Sequence, residues 1–177
     1  MPGPRSLPDH DFAPAPLGGR VRLITWLCIA SVVVVDAMVA VILFERYPPW
    51  RVWSGLGIAP VFIAAIGYGA LIRRYCLRGD EIVIERAWLT VRLPLAGVTT
   101  VESDREATHG AWKLMGNDGL GAYAGRFRSK KLGNFRAYVS DPACAVVLRW
   151  PDRCLVVSPA QPGEFIDALQ ARLAGRY

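Results

Sequence analysis

Residues 23–44 read LITWLCIASVVVVDAMVAVILF and residues 52–72 read VWSGLGIAPVFIAAIGYGALI; among Asp, Glu, Lys and Arg these two runs hold only Asp36. At about 1.5 Å of rise per residue either run is roughly 30 Å long as a helix, which matches the hydrocarbon thickness of a bilayer. Water cannot solvate such surfaces. The expectation is a two-helix transmembrane hairpin over residues 23–72, its short turn at Glu45 to Arg51 broken by Pro48 and Pro49. Tyr47, Trp50 and Trp53 then fall at the outer headgroup level. The first run is too long for a signal peptide and lacks a clean cleavage site after it, so it reads as a retained span.

Arg5, Arg20 and Arg22 precede the first run, and Arg73, Arg74, Arg78, Arg86 and Arg92 follow the second, against only Arg46 and Arg51 between them. The bias of basic residues toward the cytoplasm puts both termini there, giving a multi-pass protein of the cytoplasmic (inner) membrane. Asp36 is the one group whose charge is costly at that depth. In an antiparallel hairpin it lies level with Pro60, which leaves the carbonyl of Leu56 without its helical partner. A protonated Asp36 donating to that carbonyl, or to a neighbour, is the expected intramembrane polar contact; two helices with one acid make no proton path. Gly55 with Ala59 and Ala65 with Gly69 are small-xxx-small pairs that permit close helix approach or self-association.

Residues 1–22 carry five prolines and three glycines and read as a disordered leader. Residues 73–177 leave enough chain for one small domain with its own core. After Ile72 the pattern changes to short runs of Val, Ile, Leu and aromatics, set between turns such as Arg78-Gly79-Asp80 and Pro151-Asp152. Strands are expected near 75–78, 81–86, 89–93, 98–102, 122–127, 134–140, 145–150 and 154–158, paired as an antiparallel meander. Phe165, Ile166, Leu169 and Leu173 then recur at helical spacing, with Pro162 at the start and Gly175 at the stop. The fold class is therefore a mainly-β domain on a membrane hairpin.

Three stretches carry a family resemblance. GLGAYAGRFRSKKLGNFRAYVSD at 119–141, LVVSPAQPGEFIDAL at 155–169 and DEIVIERAWLTVRLPLAGVTTV at 80–101 resemble the bacterial pleckstrin-homology-like (PH) domains that follow transmembrane helices. The resemblance covers most of residues 74–174. It implies a bent antiparallel sheet or barrel of about seven strands closed by a C-terminal helix, used as a binding or assembly module near membranes. Lipid-binding members of the wider fold share a basic loop between their first two strands. Here that loop is Arg78-Gly79-Asp80-Glu81, short and half acidic, which argues against phosphoinositide capture there.

The net charge of +6 lies mostly after residue 72. Its densest part is Arg126, Arg128, Lys130, Lys131 and Arg136, interleaved with Phe127, Leu132 and Phe135 and with no acid between Asp118 and Asp141. Near anionic headgroups each such residue contributes on the order of 1 kcal/mol, enough for the set to orient the domain without a lipid-specific pocket. The competing reading is an ordinary solvated hairpin tip. A nucleic-acid surface is disfavoured, since no such motif is present. Gly116, Gly119, Gly121 and Gly125 do not make a phosphate loop, having no GxxxxGK[ST], and read as bends in a hairpin. Trp112, Lys113, Leu114 and Met115, with Trp88, form an apolar loop patch or part of the core.

Cys28, Cys76, Cys144 and Cys154 have no metal-ligand spacing and read as structural, although Cys144 and Cys154 could face one another across a hairpin. His10 and His109 lie in leader or loop, and no nucleophile accompanies the conceivable pairing of His109 with Asp104 or Glu106. No cofactor and no catalysis are expected. The expected partners are the bilayer with its anionic headgroups, a membrane or cytoplasmic protein, or a second copy of the chain. The alternative to a binding module is a self-assembling scaffold or accessory subunit of a membrane complex.

Overall fold

The computed structural model describes residues 9–44, 47, 56 and 58–174. Its elements are β1 His10–Phe12, α1 Gly19–Phe44, α2 Ile58–Ala70, β2 Ile72–Arg78, β3 Glu81–Arg86, β4 Thr90–Pro94, β5 Thr100–Ser103, β6 Trp112–Asp118, β7 Tyr123–Ser129, β8 Gly133–Val139, a 3-10 turn Pro142–Cys144, β9 Val146–Arg149, β10 Cys154–Val157 and α3 Pro162–Ala174.

The strands form a four-stranded sheet in the order β1-β2-β3-β4 and a six-stranded sheet in the order β5-β9-β10-β8-β7-β6. Alternation along β2 and β3 turns Tyr75, Leu77, Ile82 and Ile84 inward, where they meet Leu148, Leu155 and Val157 of the larger sheet. Phe165 and Leu169 of α3 complete this core; both are fully buried. The other face of the larger sheet buries Tyr123, Phe127, Phe135, Val147 and Val156 beneath Ala107 and Val21.

A simple antiparallel meander is not what forms. β8 and β10 run parallel, with Leu155 opposite Arg136, and β9 lies beyond β10 rather than beside β8. The 3-10 turn, capped by the Asp141 side chain accepting from the Ala143 amide, carries the chain past β10's place so that the β9–β10 hairpin folds back into it. The mainly-β class with a closing C-terminal helix holds. The expected helix stop at Gly175 lies outside the described residues.

Residues 9–22 are part of the domain, and the disordered leader is corrected accordingly. β1 pairs antiparallel with β2, joining Asp11 to Cys76. Beyond it the Ala15 amide donates to the Ser158 carbonyl (2.9 Å), the Gly18 amide to the Ser140 carbonyl (3.1 Å) and the Ser140 hydroxyl to the Ala15 carbonyl (2.7 Å). Prolines exclude helix but not an extended strap lying on a free sheet edge, and Phe12 supplies an edge-on contact with Phe165 at 5.1 Å. Residues 1–8 lie outside the described residues.

The second expected span is described only in part, and its end at Ile72 is corrected. Among the described residues only α1 is long and apolar enough to cross a membrane, and its most apolar stretch has no buried residue. α2 has 13 residues, about 20 Å, and Ile72 belongs to β2, buried in the domain core. Expectations on Gly55 and on the turn at Glu45, Arg46 and Pro48 to Trp53 fall outside the described residues. Asp36 is half-buried on α1, and no hydrogen bond joins it to Leu56 or to any other described residue.

Candidate functional site: a PH-like domain clasped to its helices

The helices meet the domain at one place. Val21 at the start of α1 is buried in the outer core and Ala70 at the end of α2 in the inner one. Between them sits the β6–β7 turn, Gly119-Leu120-Gly121. The Gly121 amide donates to Thr25 Oγ1 (3.1 Å), and the Thr25 hydroxyl reaches the carbonyls of Val21 (2.8 Å) and Gly119 (3.1 Å). Gly121 has φ of +80°, and a Cβ there would stand 2.7 Å from the Gly67 carbonyl oxygen. Only glycine combines that backbone with that approach. Gly116 and Gly125, opposite one another in β6 and β7, are crowded by each other's strands in the same way. These glycines serve close backbone contact, as expected of a hairpin rather than a phosphate loop.

Aromatic side chains ring the same level. Trp26 and Trp88 are exposed, Tyr68 and Trp88 place their ring centroids 6.2 Å apart, and Arg73 donates to the Tyr68 hydroxyl at 2.9 Å. Arg86 donates to the Gly69 carbonyl (3.0 Å), so the end of α2 is held by a cation, which suits the negative end of its dipole.

The basic run is divided by the strands that carry it. Arg126 and Arg136 line the gap between the two sheets, Arg128 lies beside Trp112 and Leu114 toward the hairpin end, and Lys130 and Lys131 occupy the turn. Lys131 is engaged, its Nζ 2.6 Å from Asp104. Arg126 stands directly opposite Arg136, and neither has a carboxylate partner among the described residues. Phe127 and Phe135, stacked at 6.0 Å, face the outer core with Leu132, so they are not available to stack on bases. The gap forms two adjoining clefts of about 640 and 450 Å³ that share Arg126 and Arg136. The first also includes Arg86, Lys113, Tyr138 and Ala70, and the second includes Trp150, Asp152 and Arg153.

A family model described as Bacterial PH domain matches residues 73–173. This chain belongs to the bacterial PH domain family. No curated protein and no solved structure matches it. The matched segment begins after the helices, whereas the PH domain as folded also takes in β1 and the strap that precede them.

In this PH domain the first turn of the matched segment, Arg78 to Glu81, is closed. Arg172 of α3 donates to the Gly79 carbonyl (2.7 Å) and the Leu95 amide to that of Asp80 (2.8 Å). The divided basic cluster lies elsewhere, and nothing in the sequence joins Arg86 and Lys113, remote from the basic run, to Arg126 and Arg136. Trp112, Leu114 and Met115 belong to β6, an edge strand, and all three are exposed. Trp88 instead packs over Gly69.

The four cysteines are free, so Cys144 and Cys154 are not bridged. Burial pushes the Cys76 thiol up to about 12, reinforced by the Asp11 and Glu85 carboxylates beside it, and the thiol donates to Glu85 Oε1 at 3.9 Å. Burial likewise raises Cys144 and Cys154, and it raises Tyr75 to about 12. Tyr75 donates to the Tyr138 carbonyl (2.8 Å) and accepts from the Ser158 amide (3.2 Å). These groups hold their protons and serve packing. The His109 amide donates to the Glu106 carbonyl, and no metal-ligating cluster occurs among the described residues.

Proposed function

We propose that this protein is a non-catalytic, membrane-anchored PH-domain module that works at the cytoplasmic face of the membrane, with α1 crossing the bilayer and α2 belonging to a returning second span. The observation that carries the reading is the clasp: the N-terminal end of α1 and the C-terminal end of α2 enter one domain, and the Gly119–Gly121 turn fills the space between them. Helices so joined leave the domain on the same side of the bilayer. Trp26, Tyr68 and Trp88 then lie at headgroup level, where amphipathic rings are favoured. The arginines flanking the helices favour the cytoplasm for that side, and the basic β7–β8 turn with Lys130, about 20 Å along β7 from the clasp, is drawn toward an anionic leaflet.

The test uses the full chain in nanodiscs. Carbonate washing leaves it in the membrane, and amide exchange at Arg128 to Gly133 slows when phosphatidylglycerol replaces phosphatidylcholine. Release by carbonate removes the anchor; exchange indifferent to lipid charge removes the surface orientation. A second reading, a self-assembling scaffold, is favoured by β6, whose free edge carries exposed Trp112, Leu114 and Met115. A mass of two or more copies per particle, abolished by Leu114→Lys, supports that reading, and a monomer excludes it.

A further inference from the structure

The cleft beside α2 concentrates cations that have no carboxylate partner among the described residues. Arg126 and Arg136 are cross-strand neighbours of like charge, an arrangement that destabilises a sheet unless something between them relieves it. Lys113 joins them from β6 and Arg86 from β3, and no acidic residue lines this cleft. None of Lys113, Arg126 and Arg136 has an ion-pair partner among the described residues. Arg86 lies over the Tyr138 ring at 5.8 Å and gives one terminal nitrogen to the Gly69 carbonyl, while its Nε is buried without a hydrogen-bond partner. A planar donor fork held this way is built for a multivalent oxyanion. Ile66 and Ala70 at the domain end of α2 form the cleft's apolar wall, so the site opens where an anchored domain meets headgroups.

We infer that this cleft binds a phosphomonoester or diphosphate group through Arg86, Lys113, Arg126 and Arg136. Two sources share that chemistry, a lipid headgroup such as that of phosphatidic acid and a soluble phosphate compound. The inference rests on the membrane-surface reading for its lipid source and differs from it in requiring a shaped site rather than summed charge.

The experiment follows the unfolding midpoint of the full chain in phosphatidylcholine nanodiscs, titrated with inorganic pyrophosphate in one arm and doped with phosphatidic acid in the other. Either anion raises the midpoint if the cleft binds it, and the responding arm identifies the source. Arg136→Lys keeps the charge but loses the fork, so the apparent affinity falls about tenfold, whereas Arg105→Gln, exposed and outside both clefts, leaves it within about twofold. Arg126→Gln raises the midpoint without anion and abolishes the anion-dependent rise. Equal affinities for Arg136→Lys and the parent chain overturn the cleft and leave general surface attraction standing. No response to either anion overturns the cleft as well, whatever phosphatidylglycerol does to exchange at the β7–β8 turn.

Discussion

Replacing Gly121 by alanine tests whether domain and helices form one mechanical unit. Holding a side chain at φ of +80° costs about 1–2 kcal/mol wherever it occurs. At Gly121 there is a second cost, because the new Cβ would stand 2.7 Å from the Gly67 carbonyl oxygen, which is backbone and cannot rotate away. Relief requires the turn to lift from α2. That breaks the Gly121–Thr25 hydrogen bond, about 1 kcal/mol, and pulls Leu120 off Gly67, about 1–2 kcal/mol of burial. The extra cost is about 2–3 kcal/mol, or roughly 30- to 150-fold in the local opening constant. Gly110 is the control, with φ of +63° and open space around its Cβ position. Amide exchange of residues 119–122 in nanodiscs should therefore accelerate by at least that factor in Gly121→Ala, the φ strain adding to it, while Gly110→Ala leaves those amides unchanged. Thr25→Val, which loses only the hydroxyl, should fall between. If exchange at 119–122 in Gly121→Ala matches that of the parent chain, the turn is not clamped and the rigid clasp is wrong.

Other substitutions probe the core beneath the clasp. Ser158→Ala removes the hydroxyl that accepts from the buried Ser140 amide (2.8 Å), so about 1–3 kcal/mol of stability should be lost, read as a lower denaturation midpoint. Phe165→Ala empties a fully buried site between Phe12 and Tyr75 and should cost about 3–5 kcal/mol by the same measurement. Cys76 makes stability depend on alkali: below about pH 9 folded and unfolded chains both keep the thiol proton, and between about 9 and 12 the unfolded chain releases it first, so stability falls. Cys76→Ala should flatten that fall in a midpoint-against-pH series, and an unchanged slope would assign the effect to other groups.

The β2–β3 hairpin was legible because Ile82, Val83 and Ile84 sit between a Gly-Asp turn and Arg86, and α3 because its stripe, proline start and Phe165 agree. β1 and the strap were not, since a segment of prolines and small residues signals only what it cannot form; its partners, Ser140 and Ser158, lie far along the chain. β6 was missed for a related reason. An edge strand with both faces open carries no alternation, and Trp112, Leu114 and Met115 looked like a loop patch. The parallel placement of β10 depends on a 3-10 turn, and strand periodicity is blind to neighbour order. For the cleft, the sequence showed Arg126 and Arg136 but not that strand register sets them face to face, nor that Arg86 and Lys113 would join them.

The strap has a consequence for how the protein is made. Its Ala15 carbonyl must find the Ser140 hydroxyl, 125 residues later in the chain, and α1 and α2 are synthesised in between. The earliest described segment to leave the ribosome is thus among the last to find its place. Until β8 and β10 exist, the strap after β1 has no Ser140 or Ser158 to hold it, and the sheet stays unfinished there. A chaperone or a neighbouring copy would meet it there, during biogenesis rather than in the mature protein.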